Sequence, residues 1–427
     1  MMKIDEYLTS LETFGIKLGL AQTAELMNRA DCRIEKNKKP YFIHLAGSNG
    51  KGSCGAMLQT ALQSAGKKVG FYTSPHLVNY NERIRINGRM ISDSELEAEH
   101  QKLSIHAEAM KKEGKFVTYF EYTTILALAY FLHNDVDFIV WETGMGGRFD
   151  STNVIDCDIS VITNIALEHC QYLGDTLEKI AFEKGGIIKE NSPVFCGIMP
   201  ESARNVLKNI AAEKNAPFCA VEKEFEFPGI FDMKQQIKTP DGTVNLALAG
   251  EMQRRNFALV YQVLKYASEK FSLDLQKMLD SMAHVSWPGR FQIIADGSII
   301  DGGHNPDGTA ALAKCLKEYF PNEKFSFVFA SFEDKDTKKC IKNLLDIAAD
   351  FAVMPLAYSG RPSCSAERLE KLIHEIDGNF ANVKKYSSLK EYFNDSEKSA
   401  ARKVYCGSLY LLGEYLQHSD PRMLEQI

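Results

Sequence analysis

The sequence predicts an α/β fold in two domains, each built on a mostly parallel sheet covered by helices. Three observations carry this. Short apolar runs such as 41–46, 137–141 and 159–163 alternate with stretches whose apolar residues recur at helical spacing. The first of these runs passes through Gly47-Ser48-Asn49-Gly50-Lys51-Gly52-Ser53 into a helical stretch, giving strand, glycine turn and helix. The alternation then begins afresh after Trp287-Pro288-Gly289-Arg290, a stiff and then flexible joint. The expected domains are residues 1–288 and a smaller 289–427.

Taken in order, residues 1–40 form a polar helical opening, and 41–46 is the first strand. Met57, Leu58, Ala61 and Leu62 place a helix over 54–65, and a second strand follows at 68–73. Pro75 ends regular pairing there, and 79–88, with Glu82, Arg83 and Arg85, reads as a long functional loop. A polar helix over 92–113 precedes one over 122–133 that is apolar nearly all round and therefore buried. Strands at 137–141, 159–163 and 193–197 follow, then a small antiparallel excursion within 220–250 and a helix over 253–267. In the second domain strands are expected at 291–295, 299–301, 325–330, 351–356 and 404–407.

The glycine turn carries the first chemistry. Glycines let backbone N–H groups turn inward, and a helix N-terminus adds partial positive charge, which suits phosphate. Lys51 would reach the outer phosphates and Ser53 would offer its hydroxyl to magnesium. The spacing departs from the common G-x-x-x-x-G-K-[ST] loop, because two residues separate the first two glycines and Gly52 precedes the serine. Ligands of open parallel sheets sit beyond strand C-termini, which gathers the loop, Ser74, Glu142 and His169 at one edge. Glu142 ends an apolar strand, where a carboxylate must be paired or metal-bound. It reads either as a magnesium ligand or as an acceptor for N–H groups of the glycine turn beside it. His169 reads equally as a ligand and as a packing residue. Asp301-Gly302-Gly303-His304-Asn305-Pro306 reads as helix-start chemistry or as a nucleotide or substrate contact.

A formal net charge of −6 argues against a nucleic-acid partner. No apolar run is long enough for a membrane span, and the N-terminus shows no signal segment. Ten cysteines without a C-x-x-C pair read as reduced and cytoplasmic, with Cys54 and Cys170 as small apolar filler. A monomer is expected.

The loop resembles that of the Mur ligase superfamily. Within it, Thr73-Ser74-Pro75-His76-Leu77 with Glu82-Arg83-Ile84-Arg85 is similar to the folylpolyglutamate synthase/dihydrofolate synthase family. So are the stretches from Glu142 to Asn153, from Glu183 to Lys189 and from Asp301 to Pro306. The resemblance implies a P-loop ATPase-like, Mur ligase-type domain and a Rossmann-like C-terminal glutamate-ligase domain. It implies an ATP-dependent ligase that activates dihydropteroate or a reduced folate as an acyl phosphate for attack by L-glutamate.

By the same resemblance Gly47, Ser48, Asn49, Gly50, Lys51, Gly52 and Ser53 cradle ATP, with Asn256, Arg290 and Asp301 as further nucleotide contacts. Ser53, Ser74 and Glu142 would hold one magnesium ion, and His169 with Glu142 a second. Arg83, Phe120 and Asp150 resemble the pterin side, while His304 and Ser408 would face glutamate. Lys51, Glu142, His169 and Lys184 form the catalytic set. Lys184 matches a position carbamylated in relatives, the other reading being a plain lysine on the ATP phosphates. Potassium is a further candidate cation. The rival readings are a peptidoglycan-precursor ligase of the same fold and a nucleotide-gated switch protein.

Overall fold

The computed structural model describes residues 2–12, 19–32, 34–35, 38–357, 360–396 and 398–418. Its first sheet contains β1 (Tyr41–Ala46), β2 (Val69–Tyr72), β3 (Ile84–Ile86), β4 (Arg89–Met90), β5 (Phe138–Glu142), β6 (Ile159–Ile162), β7 (Val194–Cys196) and β8 (Phe218–Ala220). Their order is β4-β3-β2-β5-β1-β6-β7-β8. β1 lies between β5 and β6 and runs parallel to both. β2 is parallel to β5, and β6, β7 and β8 are parallel in turn. β3 and β4 form an antiparallel edge. β5 and β6 are buried along their whole length, which is why they read as unbroken apolar runs.

Helices pack both faces of this sheet through small residues. Phe71 and Tyr72 are both fully buried, on opposite faces of β2. A Cβ on Gly55, in the helix Lys51–Ser64, would come within 2.3 Å of the Phe71 ring. The all-apolar helix is Tyr119–His133, and its core contains Phe42, Tyr72 and Trp141. It starts three residues before its apolar pattern does. Thr118 and Glu121 form a reciprocal cap there, with Thr118 N–H donating to Glu121 at 2.7 Å.

Parts of the sequence reading need correction. The 79–88 stretch is not one loop, because a 3₁₀ turn at Tyr80–Arg83 leads into β3, whose Ile84 and Ile86 turn to the same face. Glu142 is the last residue of β5, as the sequence places it, and the strand begins at Phe138 rather than at Asp137. Cys170 is exposed and not filler, whereas Cys54 is buried and all ten cysteines are free thiols.

The 220–250 excursion is a three-stranded sheet of β9 (Glu226–Phe231), β10 (Lys234–Thr239) and β11 (Gly242–Leu246), followed by the helix Glu251–Phe271. The last sheet contains β12 (Gln292–Ile293), β13 (Ile299–Ile300), β14 (Phe325–Phe329), β15 (Ala348–Val353), β16 (Val383–Lys385) and β17 (Arg402–Cys406). Its order is β12-β13-β17-β14-β15-β16, parallel except for β12.

By internal contacts the chain divides into two compact units. One comprises Met1–Glu226, Thr239–Val244 and Arg255–Val285, and the other Phe227–Lys238, Asn245–Arg254 and Ser286–Ile427. The division is thus not a single cut after residue 288. Among the described residues no helix is long and apolar enough to cross a membrane.

Candidate active site

The glycine turn leaves the C-terminal end of β1 and is held from the exit of the neighbouring β6. Ser48 N–H donates to the Asn164 carbonyl at 3.0 Å, and Asn49 N–H to Asn164 Oδ1 at 2.7 Å. Thr163 Oγ1 donates to the Asn49 carbonyl at 2.6 Å. Ser48 Oγ accepts the Ala166 N–H at 3.0 Å and donates to the Ala166 carbonyl at 3.1 Å. Two glycines are sterically required. Gly47 and Gly50 have φ of +147° and +88°, where side chains are strained. A Cβ at Gly47 would lie 1.8 Å from Thr163 Oγ1, and one at Gly50 would lie 2.4 Å from Asn256 Oδ1. The structure therefore places Asn256 directly against the loop.

Gly50 is the N-cap of the helix Lys51–Ser64 and has no side chain to bond the first N–H groups. That leaves donors and the positive end of the helix for an anion. Ser53 is buried in the first turn of this helix, and Lys51 Nζ donates back to the Gly47 carbonyl at 2.8 Å.

Glu142 is opposite Leu45 of β1 in register, is buried, and accepts the Thr73 hydroxyl. Ser74 follows Thr73 and is partly exposed. Burial, and then the charge of Glu142, push the Cys54 thiol far up, so this cysteine is inert beside the loop. Asp150 takes up the glycine turn after β5, accepting the Met145 N–H at 2.8 Å. It also accepts the N–H of Thr152 at 3.0 Å and the Thr152 hydroxyl. The Thr152 proton is thereby committed, so His44 Nε2, 2.9 Å from Thr152 Oγ1, is the donor in that contact. Burial holds the His44 imidazole neutral, far below its usual pKa. Burial also raises the Asp150 carboxyl against these donors. The Phe120 ring covers Gly144, where a Cβ would fall 2.5 Å from it, and it meets Tyr72 at 6.1 Å between ring centres.

The two remaining glycine stretches pack on each other. Arg148 N–H donates to the Glu183 carbonyl at 2.7 Å, and Asn153 Nδ2 reaches the carbonyls of Arg148 and Gly186, both at 3.1 Å. A Cβ at Gly186 would lie 2.4 Å from Arg148 Cα, and one at Gly147 2.8 Å from the Lys184 carbonyl. This docking buries Lys184, whose Nζ pairs with Glu168 at 2.8 Å. Burial, then the charge of Lys51, lower the Lys184 amine to about 8 against the raising pull of Glu168. His169 is exposed, has φ of +46° and begins the short helix Cys170–Leu173.

The donors at this edge are a buried carboxylate and hydroxyls, hard oxygen ligands that fit magnesium with water and phosphate oxygens completing its shell. Among the described residues no three His, Cys, Asp or Glu side chains gather as a cage for a softer metal.

In the second unit Asp301, just beyond β13, accepts the Phe291 N–H at 2.9 Å and the Gly303 N–H at 2.8 Å. Burial raises its carboxyl, opposed by the charge of Arg290. His304 Nδ1–H donates to the Gly302 carbonyl at 2.9 Å, and burial lowers its pKa. Gly407 N–H donates to the Gly303 carbonyl at 3.0 Å, which brings buried Ser408 to the same turn. These four residues are therefore neighbours.

Thr73, Asn164, Glu168 and His44 belong to this machinery and were not singled out as such from sequence. Asn164 and Glu168 stood beside a strand end, which was the available signal. His44 sits in an apolar strand and gave none.

Family comparisons now bear on this geometry. A sequence model of the Mur ligase middle domain matches residues 45–263, and one of the dihydrofolate synthetase C-terminal domain matches residues 295–418. The chain is 36% identical over 349 residues to a Bacillus subtilis dihydrofolate synthase/folylpolyglutamate synthase, covering 78% of this chain and 80% of that protein. It is 30% identical to an Escherichia coli dihydrofolate synthase/folylpolyglutamate synthase over 97% of this chain and 94% of that one. The structure of E. coli FolC in complex with DHPP and ADP superposes with a TM-score of 0.84 at 29% identity, covering 99% of both chains. The C-terminal match decides against the peptidoglycan-precursor branch. The chain belongs to the dihydrofolate synthase/folylpolyglutamate synthase family, on the architecture of the Mur ligases.

Proposed function

We propose that the protein joins L-glutamate to dihydropteroate and to reduced folates, with ATP converted to ADP and phosphate. The observation that carries this reading is the pinned glycine loop with Lys51, set beside buried Glu142 at the ends of adjacent strands. The acceptor carboxylate attacks the γ-phosphorus, and the bond from that phosphorus to the β,γ-bridging oxygen breaks. The glutamate amine then attacks the acyl carbon, phosphate departs, and the nitrogen loses a proton.

Charge builds on phosphoryl oxygens in the first step, so oriented N–H groups and cations are what the chain must supply. The N–H groups of the helix Lys51–Ser64 and the Lys51 ammonium meet that need. Ser53, Ser74 and Glu142, with His169 for a second ion, are the residues that would hold magnesium, which supplies charge neutralisation when bound. Nucleotide contacts at Arg290 and Asp301, glutamate contacts at His304 and Ser408, and a potassium requirement belong to the same proposal. The same reading has it acting as a cytoplasmic monomer.

Phosphate release is expected to require acceptor and L-glutamate together, with dihydropteroate and tetrahydrofolate each serving as acceptor. Formation of AMP and pyrophosphate would overturn the acyl-phosphate route. Turnover of tetrahydrofolate alone would reduce the function to its polyglutamylating half.

Lys184 is proposed to carry a carbamate. An amine lowered to about 8 is partly neutral near neutral pH and more so as pH rises, and a neutral amine can take up carbon dioxide. The Glu168 pair opposes this by favouring the ammonium, so conversion requires the cationic surroundings of the bound metal and Lys51. Acetate should partly restore activity to Lys184→Ala. Restoration by a small alkylamine and none by acetate would show that the positive charge is what the site uses.

A further inference from the structure

The segment between β2 and β3 holds an arginine, Arg83, whose charge no carboxylate among the described residues answers. Glu82 is buried and spends its carboxylate on three backbone N–H groups, those of Leu77 at 2.8 Å and of Val78 and Asn79 at 2.7 Å each. Arg83, the next residue, is only 8% exposed. Its Nε donates to His76 Nδ1 at 2.8 Å, and its guanidinium carbon lies 5.6 Å from the Tyr119 ring centre and 6.0 Å from that of Tyr80. Among the described residues no carboxylate pairs with Arg83, and its two terminal nitrogens meet no protein acceptor.

Two other buried cations are paired with carboxylates, Lys184 with Glu168 and Arg254 with Glu318. The terminal nitrogens are not among the side-chain atoms buried without a partner, so they stay open to solvent and to a ligand anion while Nε is held in place. His76 Nδ1 accepts the Arg83 Nε–H and therefore carries no proton of its own there, so the ring orients the fork without matching its charge.

We propose that Arg83 is the receptor for a carboxylate of the acceptor substrate, bound through its two terminal guanidinium nitrogens. The assignment rests on the folate-type acceptor proposed above. The ATP phosphates already have the glycine loop and Lys51, and Arg83 stands in different company. The Arg83 guanidinium faces the ring of Tyr119, the residue before Phe120, and Phe120 packs against Tyr72. Arg83 is thus a charged contact on the aromatic side of the acceptor site, and not a contact to the uncharged pterin. Dihydropteroate offers one carboxylate, the reacting one, whereas glutamylated folates offer an α-carboxylate beside the reacting group.

The test is Arg83→Gln and Arg83→Met, each assayed with dihydropteroate and with tetrahydrofolate and melted without ligand. The acceptor KM should rise roughly tenfold or more, the scale of losing one hydrogen-bonded charge pair, with the ATP KM unchanged. The ligand-free melting temperature should stay about level, because no carboxylate among the described residues pairs with Arg83. A rise in KM for tetrahydrofolate alone identifies the α-carboxylate, and a rise for both acceptors the reacting one. A lower melting temperature with unchanged acceptor KM would overturn the proposal, making Arg83 a structural residue. Failure of the unsubstituted enzyme to use either acceptor would instead take down the functional reading, and this assignment with it.

Discussion

Glu142→Ala is expected to lower turnover by about 10²-fold or more, the scale of losing one strong transition-state contact. The carboxylate is buried at the end of β5, two strands meet there, and Thr73 is its hydroxyl donor. Alanine also leaves that hydroxyl without an acceptor, at a cost of about 1–3 kcal/mol in stability. Glu142→Gln separates the two effects, because an amide oxygen still accepts from Thr73 while the negative charge is gone. If Gln folds normally and is as inactive as Ala, the charge serves catalysis. If Gln retains turnover, Glu142 is a structural carboxylate. Lys51→Ala should cause a comparable loss with a smaller change in melting temperature, since among the described residues its hydrogen bond is to the Gly47 carbonyl.

Gly47→Ala is expected to abolish nucleotide binding at ordinary ATP concentrations. The new Cβ would sit 1.8 Å from Thr163 Oγ1 and 3.0 Å from the Thr163 backbone nitrogen, at a φ of +147°. Backbone strain of this kind costs about 1–3 kcal/mol, and the clash forces the loop away from β6 as well. Adding Thr163→Ala removes one contact but neither the backbone clash nor the strain. The double variant should therefore recover little ATP affinity by calorimetry. An unchanged affinity in Gly47→Ala alone would show that the nucleotide binds elsewhere.

The central strands were legible because burial on both faces leaves a continuous apolar run, as in β5 and β6. β3 and β4 were hidden because their few apolar residues alternate with arginine inside a polar stretch, and β16 is Val-Lys-Lys. At the site, residues in glycine-rich motifs could be found because the backbone demands of a tight turn are local. Their partners could not. Thr73 meets Glu142 from 69 residues away and His44 meets Thr152 from 108, and no local pattern encodes such pairs. The same limit hid Glu168 as the partner of Lys184, although both belong to stretches that had been read.

The anchoring of the glycine loop also bears on how the chain acquires its site. The side chains of Thr163 and Asn164, beyond β6, pin Asn49 from about 115 residues further along. The motif at 47–53 is therefore not a self-contained module. A nascent chain that has left the ribosome only as far as β5 holds the whole motif but lacks its clamps. Nucleotide capture should then begin abruptly, once β6 has zipped onto β1, so that ATP acts as a reporter of a completed central sheet during synthesis.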